Sequence, residues 1–184
     1  MKNLSLITKL LLLLFTATIA IYCSTIPQKA EPIKNFDVNK YLGTWYEIAR
    51  YDYSFERDLD NVAAQYTIND KGEITVFNSG YNYKDEKWQS ATGSAKFSSD
   101  NNIGALKVSF FKPFYANYNV VAIDKDYKYA LIFGNNLKYI WILSREKTIP
   151  EDIKQNYLKI AQDTGYDVDK LIWVNHNKQN PLLK

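Results

Sequence analysis

Between residues 44 and 145 the chain is cut into short β-prone runs by turn chemistry at close intervals, and no other feature restricts the fold as much. Alternating or β-branched and aromatic runs cover 44–53, 61–69, 73–81, 88–97, 104–111, 117–124, 128–134 and 139–145. Between them stand Asn69-Asp70-Lys71-Gly72, Tyr83-Lys84-Asp85-Glu86, Ser98 to Asn102, Asp124-Lys125-Asp126 and Gly134-Asn135-Asn136, residues that favour tight turns. Eight strands joined in series by short connections describe an antiparallel up-and-down barrel. A sandwich is the competing all-β architecture, but it usually needs longer crossing connections. A chain of 184 residues holds one such domain around a single core.

After residue 145 the period changes. Pro150-Glu151-Asp152 opens a helix, because proline suits the first turn and two carboxylates complement the N-terminal dipole. Ile153, Tyr157, Ile160, Ala161 and Thr164 make one mostly apolar stripe, and Gly165 stops it. Residues 171–174 read as a last short strand. Run 139–145 is apolar on both faces, so it is buried on both. The predicted helix therefore packs outside the barrel against Ile140 and Ile142, with Trp141 and Leu143 pointing inward. The expected fold is all-β, an eight-stranded antiparallel up-and-down barrel with one C-terminal α-helix outside.

The N-terminus carries an export pattern. Lys2 and Lys9 precede an apolar run from Leu10 to Ile21 that is shorter than the roughly 20 residues needed to span a bilayer. That run ends at Cys23, the only cysteine, and resembles a bacterial lipoprotein signal, although Tyr22 stands where that motif has a small residue. The reading is a signal peptide over 1–22, a lipidated Cys23 with a proline-containing tether over 23–35, and a globular domain over 36–184.

Charge and side-chain chemistry exclude several functions. The formal charge is +3, and removing Lys2 and Lys9 from the 23 basic residues leaves 21 against 20 acidic ones. No strong field remains for nucleic acid. One cysteine forbids an intramolecular disulfide, and one histidine, His176, forbids the common metal sites, so no metal and no cofactor is expected. Nucleophilic catalysis needs an activated Ser, Cys or Lys beside a base, and none is visible.

Gly43-Thr44-Trp45-Tyr46 resembles the Gly-x-Trp signature of the lipocalin family. Asp124-Lys125-Asp126-Tyr127 falls where the family has its second motif, and Arg145 where it has its third. Phe36-Asp37, Lys107-Val108-Ser109-Phe110-Phe111 and Trp141-Ile142-Leu143-Ser144-Arg145 are similar to the bacterial outer-membrane lipocalins, relatives of apolipoprotein D. The resemblance spans roughly residues 36–176 and implies a lipid-anchored outer-membrane protein. Gly43, Trp45 and Arg145 are then structural: strand alternation puts Trp45 and Arg145 on one inner face at the closed end, where guanidinium over indole contributes about 0.5–2 kcal/mol.

Alternation also predicts the inner wall: Ala91, Gly93, Ala95 and Phe97; Leu106, Val108 and Phe110; Val62, Ala64 and Tyr66; Ile74, Val76 and Asn78. The small residues Ala91, Gly93 and Ala95 favour a cavity over a filled interior. With Trp141 and Leu143 these residues form the predicted ligand site, and Tyr81, Tyr115 and Tyr118 are expected at its mouth to meet a polar head. Glu47 shares the parity of Trp45 and is expected inward, paired with Arg145. The resemblance implies binding and storage or transport of fatty acids such as palmitate, or of lysophospholipids, in membrane maintenance, with a homodimer left open. The alternative is a lipocalin-fold enzyme acting on a small hydrophobic substrate. A haem carrier lacks its inward histidine.

Overall fold

The computed structural model describes residues 30–183. Cys23, the segment 1–22 and the first part of the tether lie outside the described residues. One turn of helix, α1 (Val38–Tyr41), leads into strands β1 (Gly43–Arg50), β2 (Leu59–Ile68), β3 (Ile74–Asn82), β4 (Lys87–Phe97), β5 (Ala105–Phe111), β6 (Phe114–Ile123), β7 (Tyr129–Phe133) and β8 (Ile140–Ser144). Helix α2 (Glu151–Thr164), a 3-10 turn (Val168–Lys170) and a short ninth strand, β9 (Ile172–Trp173), complete the fold. Each of the eight predicted runs forms a strand.

Neighbouring strands pair antiparallel in chain order, and β1 closes the barrel by pairing on both sides. Its first half meets β2, from Gly43↔Tyr66 to Tyr46↔Ala63, and its second half meets β8, from Tyr46↔Ser144 to Arg50↔Trp141. The last strand, β9, adds to the upper end of β1 through Ala49↔Trp173 and Arg50↔Ile172.

Apolar residues divide into two bodies. One fills the lower barrel with Phe36, Tyr41, Trp45, Tyr66, Ile74, Leu106, Val120 and Ile132. The other lies between the sheet and α2, where Tyr157 and Ala161 meet Leu131, Phe133, Ile140 and Ile142. The helix stripe covers the outer face of β8, as its spacing predicts. Gly165 ends α2 in the left-handed region at φ 108°, with its N–H donated to the carbonyls of Ala161 and Gln162.

Residues 30–35, expected as the end of a tether, instead pack on the barrel. Ile33 donates its N–H to Val120 O and accepts one from Gly104, at 2.9 Å each. A Cβ on Gly104 would stand 2.9 Å from Ile33 Cγ1, so glycine is what permits this approach.

The lower end is closed by Trp45 and Arg145. Trp45 is fully buried and donates its indole N–H to Tyr41 O at 2.8 Å. The Arg145 guanidinium carbon lies 3.8 Å from the Trp45 ring centroid. The guanidinium also donates to the carbonyls of Tyr127, Thr44, Lys40, Tyr41 and Leu42 at 2.7–3.2 Å. It thereby ties α1 and the start of β1 to the β6–β7 turn. Gly43, at φ 94°, leaves room for it: a Cβ there would sit 3.4 Å from Arg145 Nη1.

Removing this guanidinium strands several carbonyls and loses the stack. Arg145→Ala is expected to lower unfolding stability by about 1–3 kcal/mol, read as a shift in denaturant midpoint. An unchanged midpoint would show that the floor holds without it.

Candidate functional site

Above the floor the barrel encloses a cavity of about 580 Å³, open at the other end. Its base is a cluster of tyrosines. Tyr118 Oη lies 2.5 Å from Tyr41 Oη and accepts a hydrogen bond from Tyr66 Oη at 3.0 Å. Burial raises Tyr41 and Tyr118 well above the usual phenol value, with Tyr66 adding to the rise at both and Tyr41 adding to it at Tyr118; burial pushes Tyr66 up to about 12. All three therefore remain neutral hydrogen-bonding groups at physiological pH.

The wall contains Val62, Ala64, Val76, Ala91, Val108, Trp141 and Leu143, with Phe110 and Tyr115 higher up. The rim is aromatic: Phe55 is 63% exposed and Phe114 is 71% exposed, and both reach the cavity. Tyr115 lies under the Lys96 ammonium at 4.4 Å.

The predicted site residues thus fall into four groups. Val76, Ala91, Val108, Phe110, Tyr115, Trp141 and Leu143 come together on the cavity. Ala95 and Leu106 lie below it, packed beside Phe36, Val38 and Ile74 in the floor. Tyr118 touches the cavity from its base, not its mouth, because β6 runs from mouth to floor and Tyr118 pairs with Leu106 near the bottom. Gly93 and Tyr81 do not line the cavity. At Gly93 the ring of Phe110 takes the space a side chain would use, and a Cβ would come within 2.8 Å of Phe110 Cδ1 and 2.7 Å of Ser109 O. Tyr81 follows strand parity: Ile74, Val76 and Asn78 face inward, so Tyr81 faces outward, edge-on to Trp88 and under the Lys178 ammonium.

One part of the wall is charged. Glu47 faces the cavity, but its partner is Arg50, at 3.0 Å, and not Arg145, whose guanidinium is committed to the floor. The cause is a bulge. The β1–β8 register slips between Glu47 and Ala49, so Ile48 and Ala49 both pack with the outer body. Arg50 then returns to the side of Glu47. Arg50 Nη2 donates to Glu56 O at 2.6 Å and Leu59 O at 3.1 Å, fastening the connection between β1 and β2. The Glu56 carboxylate lies 3.6 Å from Arg50 and accepts from Trp141 Nε1 at 3.2 Å. Tyr53 secures the same connection, its hydroxyl donating to Ile140 O and accepting from Ile140 N.

Both acids are buried, at 4% and 7% exposure. Burial raises Glu47 well above the usual carboxylate range, helped by Glu56 and opposed by Arg50. Burial likewise pushes Glu56 up to about 6, against the Trp141 hydrogen bond and Arg50. Glu56, Phe55, Leu59 and Phe114 were not predicted to line the site. The run 44–53 reads as one strand, whereas β1 ends at Arg50 and the chain folds over the mouth. The signal was Phe55-Glu56-Arg57-Asp58, which breaks the alternation.

Among the described residues there is no cluster able to hold a metal, and His176 is engaged with Glu47 O at 2.8 Å. The arrangement can enclose a small apolar molecule and offers polar side chains partway up its wall.

Comparison with known proteins agrees with this geometry. The lipocalin-like domain family matches residues 36–176. Outer membrane lipoprotein Blc of Citrobacter freundii is 51% identical over 160 residues, covering 86% of this chain and 90% of that protein. Apolipoprotein D of Cavia porcellus is 32% identical over 146 residues, covering 75% and 76% of the two chains. Among solved structures, insecticyanin from the tobacco hornworm Manduca sexta has a TM-score of 0.65 at 21% identity over 79% of this chain and 84% of its own, a likeness of fold alone. With its closed barrel, its Trp45–Arg145 floor, its outer helix and a family match spanning most of its length, this chain belongs to the lipocalin family.

Proposed function

We propose that this lipocalin binds single-chain lipids, fatty acids or lysophospholipids, and stores or carries them at the bacterial outer membrane in membrane maintenance, acting as a binding protein and not an enzyme. The observation that carries this reading is the cavity of about 580 Å³, sealed below, open above and walled mainly by apolar side chains. It falls within the range of small-molecule pockets. Burying about ten methylenes contributes roughly 8 kcal/mol before the cost of lost motion, which is enough for binding near the micromolar range. The name of the Citrobacter relative, an outer membrane lipoprotein, supports the location.

The binding prediction has two arms, both measured by calorimetry on delipidated protein with palmitate and with a lysophospholipid. Trp141→Ala removes a large aromatic wall and is expected to weaken binding by about 1–3 kcal/mol. Ala91→Trp places bulk where the wall is small and is expected to abolish binding while the barrel still folds. Wild-type affinity in both folded variants would place the ligand elsewhere.

Location follows from Cys23. Two or more acyl chains on its thiol and amine give stable membrane attachment, where one chain is marginal. Wild-type protein is expected to sediment with membranes and Cys23→Ala to be released into the soluble fraction. Equal release of both would contradict lipid anchoring.

A further inference from the structure

The cavity wall contains two carboxylates and no basic side chain. Glu47 and Glu56 line it, and none of the described lining residues is Lys, Arg or His. Arg50, the one cation beside them, stands behind the acids and spends Nη2 on the carbonyls of Glu56 and Leu59. Burial favours the neutral form of Glu47, so above about pH 6 Glu56 is the acid that brings charge to this apolar space, where it is poorly screened and no lining side chain is cationic.

The buried polar atoms without a hydrogen bond include Arg50 Nε and Nη1, on a side chain that does not line the cavity, and three atoms of residues that do. Glu47 Oε1, close to Arg50 as an ion pair, has no N–H directed at it, and Asn78 Oδ1 takes no hydrogen bond. Ser109, 4% exposed and lining the cavity, has an unpartnered Oγ. Buried acceptors of this kind call for a donor from whatever fills the space. Beside Glu56 stand the faces of Tyr53 and Trp141, whose ring centroids are 4.9 Å apart. Carboxylates next to aromatic faces form a favourable setting for an ammonium group.

From these observations, and resting on the lipid-carrying reading above, we infer that Glu47 and Glu56 make a charge-reading subsite: the cavity takes a single-chain amphiphile whose head carries an ammonium or other donor group, and disfavours one whose head is anionic. A fatty-acid carboxylate finds no cation inside and is kept toward the aqueous mouth. An ammonium can enter beside Glu47 and Glu56. The groups facing the two acids are Arg50 from β1, Tyr53 from the mouth connection and Tyr66 from β2, and neither tyrosine adds a charge at neutral pH.

The test compares hexadecyltrimethylammonium with hexadecyl sulfate, each below its micellar concentration, on delipidated full-length protein. Their chains match and their head charges do not change with pH. At pH 8 the ammonium is expected to bind about tenfold or more tightly than the sulfate. The ratio should shrink as the pH falls to 5, because protonation of Glu56, held up near 6, removes the charge that separates the two. Glu56→Gln should lower the ratio at pH 8. The wild-type pH series keeps the test decisive should that variant fail to fold. Lysophosphatidylcholine and lysophosphatidic acid then separate the sources. Tighter binding of the first assigns the ammonium of a zwitterionic lysolipid; equal binding, with the ammonium preference kept, assigns a simple alkylammonium. Equal affinity for ammonium and sulfate at pH 8, or a ratio unchanged by pH, would overturn the subsite and leave lipid carriage standing. Binding of none of these, nor of palmitate, would overturn carriage and the subsite together.

Discussion

Closure of the barrel through β1 is the constraint on which the remaining structure rests. A single eight-residue strand pairs with β2 along its first half and with β8 along its second, and β9 covers the edge that its second half leaves beside β2. The closure is locked at one end only. Trp45 under Arg145, with the carbonyls of α1 gathered round the guanidinium, fills the lower barrel. Above that floor the small side chains of Ala64, Ala91 and Val76 on the wall leave the upper half open. A sealed floor and an empty upper half together make a container.

The same strand also sets the container's polarity. Perfect alternation along β1 would send Arg50 outward and leave Glu47 buried without a countercharge, a state costing several kcal/mol. The slip after Glu47 avoids this by turning Arg50 back, and Arg50 in turn captures the backbone of the connection that carries Glu56. One irregularity thereby places a second carboxylate beside the first and holds the mouth in shape. Tyr53, bonded to both backbone groups of Ile140, braces that mouth from β8.

Much of this is legible in the residues themselves. The eight strands, the outer helix and the Trp45–Arg145 floor follow from period, turn chemistry and motif spacing, since each depends on local pattern and on which strand face meets the core. Trp141 and Leu143 were predicted inward from the two apolar faces of one strand, and the geometry places them on the cavity. What pattern could not convey depends on departures from regularity. Arg50 needed the bulge, Glu56 needed the early end of β1, and Gly93 looked like open wall because the neighbouring Phe110 ring is invisible to strand parity. The parity of its own strand turns Tyr81 outward, away from the mouth. The direction of β6 brings Tyr118 down from the mouth onto Tyr41 and Tyr66.

Whether this container holds one single-chain lipid can be read by native mass spectrometry of the protein released gently from its own envelope, followed by extraction and identification of whatever mass it retains. One adduct per chain is expected, with the mass of a fatty acid or a lysophospholipid, lost on delipidation and regained on adding that lipid back. Protein that emerges empty and takes up no single-chain lipid, or that retains a ligand of unrelated chemistry, would contradict lipid carriage.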